Sequence, residues 1–205
     1  MNDRKLKLVF KGARNYVHGT TMFDETVRLL AEAGYNQLAD IKFVIHEMTS
    51  VNLRLVVEEY HDIAAANSVA IMRFTAGGQA MQARIVSDDG APAARVPYDE
   101  ARIESCCQID TTTRDIRLSR DISGFSQIEV LVSMNKALHL AVLEKPAQTS
   151  WVFCRWDGFA WPLPADLSGV TIRLKQTLGT RLTRADVALG QETLGQIYFS
   201  AKAAS

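Results

Sequence analysis

Apolar and lysine positions alternate from residue 5 to residue 11, with Leu6, Leu8 and Phe10 set against Lys5, Lys7 and Lys11. A period of two marks a strand with one face turned to a core. A polar turn follows over residues 12–20. Thr20 or Thr21 then offers an N-cap, and Asp24 stands three residues after Thr21 in a capping-box-like spacing. Phe23, Val27, Leu30 and Ala31 recur at helical spacing, and Gly34 stands where a C-cap belongs; this predicts a helix of about four turns. Residues 41–49 and 51–60 are dense in β-branched and aromatic side chains, and 69–75 and 80–86 flank Gly77-Gly78, a hairpin turn signal. The first portion reads β-α-β-β-β-β. Asp88, Asp89, Gly90, Pro92 and Pro97 make residues 87–97 the best linker in the chain.

The order then repeats. Residues 101–109 and 114–118 read as strands around the Thr111-Thr112-Thr113 turn. Gly124 and Ser126 open a helix over residues 125–143, and Lys145-Pro146 ends it. Strand patterns follow at 150–157, 169–178, 180–189 and 194–201. The second helix is apolar almost all round, with Ile128, Leu131, Val132, Met134, Leu138 and Val142 pointing in nearly every direction. Such a helix must be enclosed, and a strongly curved antiparallel sheet wrapped around it would do so. The expected class is α+β, with residues 1–90 and 91–205 as two such units packed into one body. Arg14-Asn15-Tyr16 and Arg120-Asp121-Ile122 precede the two helices, and Phe23 and Phe125 sit near their starts, a faint internal echo.

Charge narrows the partners. The chain of 205 residues carries 23 basic and 23 acidic side chains and a formal net charge of zero. No basic stripe of the kind that neutralises nucleic-acid phosphates is present. The one loose cluster, residues 173–184, reads as a solvated strand face or as a phosphate-reading patch. No segment has the roughly 20 uninterrupted apolar residues of a membrane span, and the first ten residues lack a signal peptide's apolar core. Cys106, Cys107 and Cys154 form no zinc spacing. An odd cysteine count without an export signal fits a reducing, cytoplasmic setting, with buried free thiols as the plain reading and a reactive nucleophile as the other.

Strand, polar turn, buried helix and a run of antiparallel strands, done twice, resembles a double-hotdog protein of the acyl-thioester dehydratase and thioesterase superfamily. Tyr16-Val17-His18-Gly19-Thr20-Thr21-Met22-Phe23-Asp24-Glu25 is similar to the loop-to-helix entrance of its enzymes, and Gly195-Gln196-Ile197-Tyr198-Phe199-Ser200 to a last hotdog strand. The resemblance implies two long central helices, each wrapped by a curved antiparallel sheet. It implies a thioester of acyl-CoA or acyl-carrier protein as partner, no cofactor and no metal, and it allows a homodimer. The thioester carbonyl would meet the unpaired N–H groups of the first turn, where developing negative charge is stabilised. Thr20, Thr21, Met22 and Phe23 would bind substrate; His18 would exchange a proton, and Asp24 or Glu25 would act as base or orient water. The dehydratase His-Phe-Pro segment is absent, and so is the Asp that precedes the corresponding step in thioesterases, so dehydration (or hydration) and hydrolysis both stay open. A non-catalytic ligand-binding or assembly protein of the same fold is the alternative.

The remaining chemistry-bearing residues have plainer readings. Asp121, Ser123, Ser126 and Glu129 stand at the second helix entrance, where Asp121 or Ser123 serves as a cap. His46 and Glu47 are neighbours on a strand and point to opposite faces, which argues against a metal shared with His61, Glu58 or Glu59. His139 reads as a hydrogen-bonded core histidine. Trp151, Phe153, Trp156, Phe159 and Trp161 read as packing, or as a wall for an acyl chain or a partner-binding strip. No nucleotide-binding glycine loop, zinc-protease or serine-hydrolase motif occurs.

Overall fold

The computed structural model describes residues 3–60, 67–143, 149–179 and 181–203. The chain divides into two compact units, one running to Tyr98 and including Asp157–Pro162, the other made of Asp99–Trp156 and the chain from Leu163 on. His61 and the Lys145-Pro146 helix stop lie outside the described residues.

The first unit holds β1 (Asp3–Lys5), β2 (Phe10–Lys11), α1 (Gly19–Glu32), β3 (Leu38–Ile45), β4 (Leu53–Glu59), β5 (Ala70–Ala76), β6 (Gln79–Ser87) and β7 (Arg95–Val96). Its strands lie in the order β1-β4-β6-β5-β3, antiparallel. The expected first strand is split: β1 pairs with β4, β2 pairs with β7 in parallel, and buried Leu6 and Leu8 run between them. The 87–97 segment is thereby tied down at Arg95 and Val96. Gly77 and Gly78 make the β5–β6 turn with φ of 57° and 79°, the pair of positive angles that a type I′ hairpin turn requires. Helix α1 ends in a Schellman motif: Tyr35 N–H donates to the Leu30 carbonyl and Gly34 N–H to that of Ala31, both at 2.9 Å, with Gly34 at φ 97°. Its inner face buries Met22, Phe23, Leu29 and Leu30, each worth roughly 1.5–3 kcal/mol of transfer free energy.

The start of α1 differs from expectation. The N-cap is His18 rather than Thr20 or Thr21, and it makes no side-chain cap bond. Gly19 is helical already, so Asp24 falls in the second turn and no capping box forms.

The second unit holds α2 (Glu100–Glu104), β8 (Cys107–Asp110), β9 (Asp115–Leu118), α3 (Gln127–Val142), the first part of β10 (Thr149–Trp161), β11 (Val170–Leu178), β12 (Leu182–Leu189) and β13 (Glu192–Ala203). The strand order is β10-β13-β12-β11-β9-β8. The strand expected at 101–109 is instead a short helix leading into β8. Asp99 makes the difference, since its carboxylate accepts the Arg102 N–H at 3.3 Å and starts a turn that buries Ile103. The Thr111–Thr113 turn is organised by Asp110, whose Oδ1 accepts from Thr112 and Thr113 N–H. Helix α3 is enclosed as its composition requires, with Ile128, Leu131, Met134 and Leu138 inaccessible to solvent.

The helices expected to be long have 14 and 16 residues, close to the ordinary length for globular proteins. Among the described residues no helix is long and apolar enough to cross a membrane.

Candidate functional site

The entrance of α1 gathers most of the residues expected to do chemistry. Val17 N–H donates to the Thr49 carbonyl at 2.7 Å and holds the incoming chain. His18 follows with extended backbone (φ −69°, ψ 137°) and only 8% exposure. Its carbonyl accepts from Met22 N–H at 3.1 Å, the first α-helical bond. The N–H groups of Gly19, Thr20 and Thr21 precede that bond and the His18 side chain does not cap them; they form the positive end of the helix dipole. The imidazole Nδ1 lies 2.9 Å from Thr20 Oγ1; with Nδ1–H donating there, Nε2 is the basic nitrogen. Thr21 is 6% exposed, and its hydroxyl has no hydrogen-bond partner among the described residues. A buried hydroxyl left this way costs about 1–3 kcal/mol, which marks the position as one that a ligand atom could complete.

The other expected site residues go elsewhere. Phe23 is core: its ring meets Phe43 at 5.3 Å and Trp161 at 4.7 Å, both edge-on. Met22 is equally enclosed. Glu25 starts about 10 Å further along the axis than His18. Its Oε1 accepts from Arg28 Nε at 3.0 Å, and its Oε2 from Arg28 Nη2 and Lys7 N–H, each at 2.7 Å. Both oxygens are thus occupied in fixing α1 to the residue-7 segment. Asp24 is half-buried in the second turn. His18, Thr20 and Thr21 are brought together; Phe23 and Glu25 are not part of that group.

A second feature of this corner comes from long-range pairing. Because β2 runs alongside β7, Tyr98 is delivered beside the α1 entrance, where its ring meets the His18 ring edge-on at 5.4 Å. Lys11 Nζ lies over the same Tyr98 ring at 5.5 Å and the Arg14 guanidinium at 5.4 Å. Arg95 donates to the carbonyls of Gly12 and Arg14, both at 2.7 Å, and to Asn15 Oδ1 at 3.1 Å, pinning the loop that carries Arg14. The motif reading missed these cations. Their one trace in the sequence is a stretch, residues 6–23, with Lys7, Lys11 and Arg14 and no carboxylate.

In the second unit His139 is fully buried and held at both nitrogens, Nδ1 by the Asn135 carbonyl and Nε2 by Thr183 Oγ1, each at 2.6 Å. Burial pushes its pKa down to about 4, outweighing the Asn135 carbonyl that favours the charged form. It is a neutral core histidine stacked on Phe199. The three cysteines are free. Arg120 Nε donates to Cys106 Sγ at 3.4 Å and holds that thiol below its ordinary pKa, while burial pushes Cys107 up to about 12 and Cys154 up to about 11. No group of three or more metal-ligating side chains is gathered among the described residues.

No family model and no curated protein sequence matches the chain. Solved structures do. A tesB protein of Mycobacterium avium subspecies paratuberculosis superposes with a TM-score of 0.48 at 10% identity, over 95% of this chain and 89% of that one. The pyran synthase domain from module nine of the sorangicin pathway gives 0.44 at 16% identity, over 100% and 95%. A bifunctional dehydratase-cyclase domain of ambruticin biosynthesis gives 0.45 at 15%, over 98% and 90%. At these identities and scores the likeness assigns no activity to this chain.

Proposed function

We propose that the protein is a double hotdog that binds an acyl thioester with its carbonyl oxygen at the N-terminus of α1. One observation carries this reading: the helix starts at a buried histidine that does not cap it, beside an unpartnered, buried threonine hydroxyl. First-turn donors and an unsatisfied hydroxyl in one place have the makings of an oxyanion site. The carbonyl oxygen would accept from the Gly19, Thr20 and Thr21 N–H groups and the Thr21 hydroxyl. Negative charge develops on that oxygen whether water adds to the carbonyl or a proton leaves the α-carbon. His18 Nε2 takes the proton in either case, from the attacking water or from the α-carbon. Asp24 would orient the water, or the departing hydroxyl in elimination, from the second turn; Glu25 keeps its place as the anchor to Arg28 and Lys7.

The first test is a thermal-shift series with CoA, acyl-CoAs of increasing length and 3-hydroxyacyl-CoAs. A ligand at 100 times its Kd stabilises the fold by about 2.7 kcal/mol. Acyl-dependent stabilisation, followed by turnover that His18→Gln removes, is the expected result. No stabilisation by any acyl thioester, on CoA or on a carrier protein, would sink the reading.

A second reading is a non-catalytic hotdog protein that binds such ligands or assembles with others. The tight enclosure of Thr20, Met22 and Phe23 and the occupied carboxylate of Glu25 favour it. Acyl-dependent stabilisation with no turnover, unaltered by His18→Gln, would decide for it.

A further inference from the structure

We infer that the second unit holds a ligand site of its own on the sheet-facing side of α3. There Asn135 reads a neutral group that donates and accepts side by side, a hydroxyl or an amide, on an otherwise apolar small molecule. The inference does not rest on the thioester reading or on any residue of α1.

Asn135 marks the place. It lies within α3, inaccessible to solvent, and neither its Nδ2 nor its Oδ1 has a hydrogen-bond partner among the described residues. Asparagine is a poor residue for a helix interior, and a buried carboxamide with its donor and acceptor both idle is costly. Leucine, of similar branched shape, would suit helix and core better. Stability therefore does not explain this side chain, and a buried polar group that the fold leaves idle asks for a partner from outside it.

The surroundings show why the fold cannot supply one. His139 stands one turn further along the same helix face. Its Nδ1 meets the Asn135 carbonyl, a pure acceptor, at 2.6 Å, so Nδ1 carries the hydrogen and Nε2 accepts from the Thr183 hydroxyl, also at 2.6 Å. Both imidazole nitrogens are thus taken up. The partners of His139, Thr183 on β12 and Phe199 on β13, show that this face meets the sheet. There β12 is paired with β11 on one side and β13 on the other, so its backbone groups are taken up too. Leu131 and Leu138, one turn either way from Asn135, are inaccessible to solvent and offer only apolar contact. One more donor is idle here: Trp151 Nε1 is buried without a partner among the described residues, and the Trp151 ring meets His139 edge-on at 5.1 Å. A ligand hydroxyl answers this set. Its hydrogen goes to Asn135 Oδ1 and its oxygen accepts from Nδ2–H, with Trp151 Nε1–H as the second donor beside His139. An amide answers it in the same way. A carboxylate would take up the donors and leave Oδ1 idle.

The test titrates the full chain, labelled with nitrogen-15, with 1-alkanols and primary alkyl amides of increasing length and with the methyl ethers of the same alcohols. The Asn135 side-chain amide and the Trp151 indole N–H are assigned as the resonances lost in Asn135→Leu and Trp151→Phe. The expected result is that an alcohol or amide of the series shifts both resonances and raises the melting temperature. Its methyl ether, which accepts but cannot donate, should bind about tenfold more weakly. Asn135→Leu should melt about 4 °C above the parent without ligand and lose the preference for alcohol over ether. If that preference persists in Asn135→Leu, the polar group is read elsewhere and the inference is overturned. If no alcohol or amide of any length moves the Asn135 resonances of the parent protein, the carboxamide holds water at most, and the inference is overturned with no variant needing to fold. Either result leaves the thioester reading to its own tests at α1.

Discussion

The entrances of α1 and α3 are built from similar material and end in opposite states. At α3 the Ser126 hydroxyl accepts from Glu129 N–H at 3.2 Å and the Glu129 carboxylate accepts from Ser126 N–H at 2.8 Å, a closed capping box. The helix spends its first donors on its own side chains. At α1 the corresponding position is His18, which caps nothing, and the first-turn donors lie beside the lone Thr21 hydroxyl. Stability alone would favour the first arrangement at both ends. A helix start that forgoes its cap while burying an imidazole is the better place to look for chemistry.

The sharpest way to break this contrast is to remove the imidazole. On the thioester reading His18→Gln should lower turnover about a hundredfold or more, the usual share of a general acid–base group, with KM little changed. Steady-state kinetics on the best acyl thioester from the thermal-shift series would measure it. Unchanged kcat would leave α1 with no more claim to catalysis than α3.

The buried histidine of the second unit carries a pH test of its own. His139 has a folded pKa of about 4 against 6.5 when unfolded. Between those values the unfolded chain binds the extra proton, so stability rises with pH across the window. Its contribution is complete above pH 6.5 and is lost as the pH falls toward 4, a change on the order of 3 kcal/mol. Denaturant titrations at stepped pH should show that slope, and His139→Gln should flatten it in this window. A slope that persists in His139→Gln would assign the acid sensitivity to another group.

How much of this was legible depends on the reach of each interaction. Gly34 and Gly77-Gly78 could be read because each is settled by neighbours within a few residues; the cap of the second helix, expected at Asp121 or Ser123, is instead Ser126, whose box with Glu129 starts the helix later. The helix at 100–104 was misread as strand because Ile103 and the cysteines look β-like, and one cap bond from Asp99 decided otherwise. His18 was legible as a site residue from its motif surroundings but not as an N-cap, because histidine is not among the side chains that cap. Glu25 looked available because its partner Lys7 is a backbone N–H far back in the chain. Tyr98 was invisible as a site residue: only the pairing of β2 with β7 brings it to His18, and two-residue strands leave no periodic trace.

A smaller perturbation tests whether the Thr21 hydroxyl is held in reserve for a ligand. Thr21→Val keeps the branched shape and removes an unsatisfied buried oxygen. Without ligand it should stabilise the protein by about 1.5 kcal/mol, a rise in melting temperature of about 3–5 °C. Turnover should fall about a hundredfold as one oxyanion donor is lost. If Thr21→Val destabilises the protein, the hydroxyl has a partner within the fold and is not waiting for one.

The mildest test is made at the closed entrance. Ser126→Ala opens the α3 capping box and strands the Glu129 N–H, at a cost of about 1 kcal/mol and a melting temperature lower by about 2–4 °C. It should leave kcat and KM of any thioester reaction as they are, because the donors it frees have no basic side chain or unpartnered hydroxyl assigned to them. The pair of variants then reads in opposite directions: Thr21→Val gains stability and loses activity, whereas Ser126→Ala loses stability and keeps activity. Should Ser126→Ala depress turnover as His18→Gln does, a capped helix start would be taking part in the chemistry, and the distinction between the two entrances would no longer locate the site.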